Sequence, residues 1–116
     1  MDSHDLIEAK CVPCEGGIAS LAPRAYEPLL KQAFGWNVIE GKKILRTFAL
    51  KDFASAMKFV SEIALLAEKE GNRPDFIIHY RKVTLELWTH AIGGLSQNDF
   101  IMAAKINEVA NKFALN

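Results

Sequence analysis

No apolar run in this sequence approaches the ~20 residues that a membrane-spanning helix needs. The opening stretch, MDSHDLIEAK, has neither the charged start nor the apolar centre of a signal peptide. These two absences point to a cytoplasmic protein without membrane attachment. An excess of charge is also missing, since 14 Lys and Arg balance 14 Asp and Glu. Proteins that hold nucleic acid by neutralising phosphates usually carry a basic excess, so nucleic acid is not an expected partner. Cysteine is scarce: only Cys11 and Cys14 occur. No matching Cys or His pair follows them, so a structural zinc site within one chain lacks half its ligands and no metal is expected. Glu15-Gly16-Gly17 is poor helix, which argues against a thioredoxin-like redox motif. Two free thiols in an extended arm is the favoured reading, with zinc shared between subunits as the alternative.

What remains is a chain of 116 residues, half of them hydrophobic, enough for one modest core. A domain of this size often gains stability by assembling with copies of itself. Residues 1–22 carry little periodicity and read as an irregular arm; residues 23–116 read as a single domain. A first helix is expected within 23–34, where Tyr26, Leu29, Leu30 and Ala33 recur at helical spacing. Pro28 either falls in its first turn or kinks it. Trp36 to Ile39 and 43–50 form a hairpin around Glu40-Gly41-Lys42. Asp52 is a plausible N-cap and Gly71 a plausible stop for a long helix between them. Its two apolar stripes, Phe53-Met57-Val60-Ala64-Ala67 and Phe59-Ile63-Leu66, suggest either burial on two sides or one broad core face.

A second hairpin is expected from strands at 76–80 and 83–90. Val83, Leu85 and Leu87 would face the core, while Thr84, Glu86, Trp88 and His90 would line the opposite face. Ser96 and Asp99 resemble a capping box opening a last helix over 97–113. The order helix, strand, strand, helix, strand, strand, helix fits an α+β domain: a four-stranded antiparallel sheet with three helices packed on one face.

Residues 68–99 hold most of the unusual choices: a Gly-Asn-Arg-Pro corner, a Trp beside a His, and a Gly-Gly turn. An aromatic ring next to a titratable imidazole suits a flat ligand. On those two residues alone, a packed Trp at a subunit contact with a solvated His is the stronger reading.

Three segments bear a resemblance to a known family. These are Cys11-Val12-Pro13-Cys14-Glu15-Gly16-Gly17, the hairpin from Trp36 to Phe48, and Trp88-Thr89-His90-Ala91-Ile92-Gly93-Gly94-Leu95-Ser96 with Asp99. Together they resemble the pterin-4a-carbinolamine dehydratase family, which is also known for a dimerisation-cofactor role in transcription. The resemblance implies a sheet-based homodimer, often paired into a homotetramer through helices. It implies a pterin pocket formed by Gly71, Asn72, Arg73, Pro74, Trp88, Thr89, His90 and Ala91. The implied reaction expels water from 4a-hydroxytetrahydrobiopterin to give quinonoid dihydropterin, without metal or redox cofactor. One proton goes to the departing hydroxyl and one leaves a ring nitrogen. His90 is the implied catalytic acid–base residue, with Glu68 as support. The family usually carries His-His-Pro at the corner, whereas this chain has Asn72-Arg73-Pro74. Asn has no proton to exchange and Arg stays protonated near neutrality. The expected function is therefore a dehydratase-like protein of weakened or lost activity. The alternatives are a non-catalytic assembly factor with a protein client, Rubisco for example, or a transcriptional dimerisation cofactor.

Overall fold

The computed structural model describes residues 3–11 and 19–115. Four strands form one antiparallel sheet in the order β1-β2-β4-β3, with β1 at Asn37–Ile39, β2 at Lys43–Ala49, β3 at Asp75–His79 and β4 at Lys82–Leu87. The period-two pattern of β4 decides which face is covered: Val83, Leu85 and Leu87 are at most 1% exposed. Register pairs Ile44 with Leu87 and Phe48 with Val83, so β2 adds its own buried side chains to the same face.

Among the described residues, four α-helices accompany the sheet. They are α1 at Ser3–Glu8, α2 at Pro23–Gln32, α3 at Phe53–Glu70 and α4 at Gln97–Ala110. The helix α1 corrects the expectation of an irregular arm. Six residues are too few to show a period, and α1 is held by tertiary packing, with Leu6 fully buried beside α2 and α4. Cys14 and its neighbours through residue 18 lie outside the described residues, as does the expectation placed on them. Pro28 sits inside α2, which starts at Pro23 rather than near Ala25.

Caps bound α3 as its sequence suggests. Asp52 accepts from Ser55 N–H, and Gly71 closes the helix in the left-handed region at φ 69°. The buried stripe of α3 is Ala56, Phe59, Ile63 and Ala67, whereas Phe53 is half exposed. Phe59 lies 5.0 Å from Phe48 of β2 and 5.5 Å from Phe113, tying α3 to the sheet and to the end of α4. The capping box opening α4 is present in both directions between Ser96 and Asp99. The helix stops at Ala110, three residues short of the expected Phe113. Among the described residues, no helix is long and apolar enough to cross a membrane.

Candidate functional site

The corner after α3 is built by the helix end itself. The N–H groups of Gly71 and Asn72 both donate to Ala67 O, at 2.9 and 3.2 Å, so the chain turns out of the helix within two residues. Pro74 is buried at the start of β3, and Arg73 points to solvent. Arg73 pairs with Glu68 at 3.5 Å; their side chains are 75% and 69% exposed, so this contact adds little stability. The Asn72 amide turns inward, donating to Asn98 O at 3.2 Å and approaching Cys11 Sγ at 4.0 Å.

Trp88, Thr89 and His90 form the second wall, but not as an extension of β4. The strand ends at Leu87, and His90 opens a 3₁₀ turn, His90–Ile92. Thr89 instead exchanges backbone hydrogen bonds with Gly94, at 2.8 and 3.3 Å. The expected neighbourhood survives this correction: the Trp88 and His90 rings are 3.8 Å apart between centroids, tilted by 34°. His90 and Ala91 are exposed, while Trp88 and Thr89 are half-buried. Trp88 also lines a groove of about 380 Å³ on the open sheet face with Ile39, Lys43, Asp75 and Glu86, to which Asn72, Arg73 and His90 do not contribute.

The two walls meet at the start of α4. Thr89 Oγ1 donates to Asp99 Oδ2 at 2.9 Å, and Ser96 N–H donates to the same oxygen at 2.9 Å. Asp99 is fully buried, and its Oδ1 has no hydrogen-bond partner. Burial pushes its carboxyl up from 3.8 to about 6. The Ser96 and Thr89 donors, the nearby Asn72 amide and a charge on His90 all act in the opposite direction. Asp99 therefore senses both the corner and the imidazole. Sequence reasoning read Asp99 as a helix cap and did not place it in the site. The signal available was a carboxylate nine residues beyond His90, inside the same recognisable segment.

A further group braces the corner from below. Glu70 accepts from Cys11 N–H at 3.0 Å and from Lys105 at 3.3 Å, with side chains of Glu70 and Lys105 only 4% and 16% exposed. Burial opposes the Glu70 charge, but the Cys11 N–H and the Lys105 ammonium outweigh it and hold its carboxyl below the usual range. Burial, reinforced by that carboxylate, pushes the Cys11 thiol up to about 11, so it is a poor nucleophile.

Residues 19–109 match the family described as pterin 4 alpha carbinolamine dehydratase. The chain belongs to this family. A relative from Nitrosomonas europaea, named for the same dehydratase, is 46% identical over 104 residues, covering 89% of this chain and 91% of its own. The mitochondrial pterin-4-alpha-carbinolamine dehydratase 2 of Arabidopsis thaliana is 39% identical over 110 residues, covering 90% of this chain and 59% of its own length. Among solved structures, a transcriptional coactivator/pterin dehydratase from Brucella melitensis superposes with a TM-score of 0.74 at 34% identity, covering 78% of this chain and 98% of that one. This chain of the pterin-4a-carbinolamine dehydratase family thus combines the family fold with an Asn72-Arg73-Pro74 corner.

Proposed function

We propose that Gly71 to Pro74 and Trp88 to Ala91 bound a pterin site in which His90 does the proton transfer. The observation that supports this reading is the Trp88–His90 pair, 3.8 Å apart, with Thr89 between them bonded to Asp99 and the corner's Asn72 bonded to the adjacent Asn98 carbonyl. An exposed imidazole beside an aromatic face can meet a flat heterocycle and protonate its departing hydroxyl. The ring-nitrogen proton then passes to solvent or back to His90, so that one water leaves and the proton count balances. Arg73 and Glu68 stand at the exposed mouth, where Arg73 can stack on a ring but cannot serve as an acid.

Asn72 limits the rate. Its amide is engaged with Asn98 O and has no titratable proton, and loss of an acid–base group costs roughly 10²–10⁴-fold. In a dehydratase assay on the purified protein, slow turnover abolished by His90→Ala is expected, with a gain on introducing Asn72→His and Arg73→His together. Turnover unaffected by His90→Ala would remove His90 from the mechanism.

The same Asn72–Asn98 contact favours a second reading, since it turns a proton-transfer position into a structural one. In that reading the protein is a homo-oligomeric assembly or binding factor for a protein client, with Rubisco assembly as one case. No turnover in the native chain or in the double His variant, together with stoichiometric capture of a large enzyme, is its expected signature.

A further inference from the structure

The groove on the open face of the sheet adjoins both walls of the candidate pterin site. Trp88 of the second wall lines it, and so does Asp75, the residue that follows Pro74 of the corner. Its volume of about 380 Å³ falls within the range of small-molecule sites, roughly 300–1,000 Å³. Trp88 and Ile39 give it apolar surface, while Glu40, Lys42, Lys43, Asp75 and Glu86 give it charge of both signs.

Folding alone does not account for the arrangement of these charges. Asp75 and Glu86 are direct partners in the β3–β4 ladder, and like charges directly opposite each other destabilise a sheet. Lys43 relieves one of them: its ammonium meets Glu86 Oε1 at 3.0 Å, with the two side chains 35% and 18% exposed. Among the described residues, no cation pairs with the exposed Asp75. An ammonium has three donors and a carboxylate two acceptor oxygens, so the Lys43–Glu86 pair keeps open capacity of both kinds. A departure from local pairing rules without structural gain is expected at a functional site. Here it leaves hydrogen-bond acceptors and donors side by side, reachable from solvent, along a wall that ends at Trp88.

In a pterin, one nitrogen separates the 4a carbon from C6, so the C6 substituent leaves the ring beside the reacting carbon. With His90 at that carbon, the substituent starts next to Trp88, whose ring centroid lies 3.8 Å from that of the imidazole. We propose, resting on the pterin reading above, that the groove holds this substituent and selects a neutral polyhydroxyl chain. Its hydroxyls donate to Asp75 and Glu86 and accept from Lys42 and Lys43. A carboxylate in the groove faces Glu40, Asp75 and Glu86, and an ammonium faces Lys42 and Lys43, so chains of either charge are disfavoured. A methyl group leaves the polar wall unmatched.

Fluorescence titration of the full chain with neopterin, which carries a trihydroxypropyl chain at C6, tests this. The comparison ligands are 6-methylpterin, 6-carboxypterin and 6-aminomethylpterin. Saturable binding of neopterin is expected with Kd below about 1 mM, and about tenfold tighter than that of each of the other three. Asp75→Ala should weaken neopterin severalfold and leave 6-methylpterin unchanged. The same variant should keep or raise the melting temperature, since it relieves the like-charge pair. Equal affinity for neopterin and 6-methylpterin would overturn the groove's role while leaving the pterin site standing. So would tighter binding of either charged pterin, or neopterin binding indifferent to Asp75→Ala. No binding of any of the four up to about 1 mM overturns the pterin reading itself, and this inference with it.

Discussion

Asp99 is fully buried, yet one of its oxygens caps α4 while the other is unpaired. Because its folded pKa is raised to about 6 from 3.8, the folded protein binds this proton more tightly than the unfolded chain does. The associated stability is fully present below about pH 4, declines as the pH rises towards 6, and is absent above that. A two-unit shift corresponds to about 3 kcal/mol across that window. Asp99→Asn keeps an oxygen for the Ser96 N–H and the Thr89 hydroxyl but cannot ionise. Urea unfolding at pH 4, 5, 6 and 7 should show the variant gaining on the native protein through the window, then running parallel to it. Parallel curves throughout would mean that Asp99 ionises as an ordinary carboxylate. The orphaned oxygen also distinguishes what sequence reasoning can reach. That Asp99 caps a helix follows from its spacing to Ser96; that it takes the Thr89 hydroxyl, beside the Asn98 carbonyl that holds Asn72, depends on segments meeting in space.

At the scale of elements, the boundary between α3 and β3 sets the corner, and it rests on Gly71. No heavy atom lies within 4 Å of where a Gly71 Cβ would be, so a side chain there costs only its left-handed backbone, φ 69°. Gly71→Ala should lower the denaturant midpoint by an amount equivalent to roughly 1–2 kcal/mol, with the slope unchanged. A larger loss, or a changed slope, would mean that the whole corner rearranges. Both ends of α3 and the start of α4 were legible because caps are local chemistry, written within four residues. The end of β4 was not. The β-favouring Trp88 and Thr89 follow the alternating Leu85-Glu86-Leu87, so nothing local marks the point where the strand stops. Its limit is set by its neighbours, since the β2 ladder ends at the Ile44–Leu87 pair and β3 begins only opposite Glu86. Likewise the brace of Cys11, Glu70 and Lys105 joins residues up to 59 apart from Cys11 to Glu70, which no spacing rule records.

On the scale of the whole molecule, the sheet has two edges without a partner strand among the described residues, the three-residue β1 and the five-residue β3. The β3 edge is the longer and the more apolar. Ile77 and Ile78 are 50% and 43% exposed, and Tyr80 beyond them stacks on Phe53 at 6.4 Å with both rings open to solvent. An exposed apolar edge of this kind is a template for strand pairing unless something covers it. Self-pairing along β3 would extend the sheet and cover part of this apolar surface, in line with the homo-oligomeric reading proposed for this chain. On the helical layer Leu65 of α3 is 73% exposed, which makes it the position to test for a second, separate contact. The two sites predict different failures. In sedimentation at micromolar concentration, Ile78→Lys should dissolve the sheet-mediated pair, placing an ammonium where two edges meet. Leu65→Lys should leave that pair intact and remove only a higher assembly built through α3. If Ile78→Lys sediments like the native protein while Leu65→Lys yields monomer, pairing runs through the helices and the β3 edge must be covered in another way.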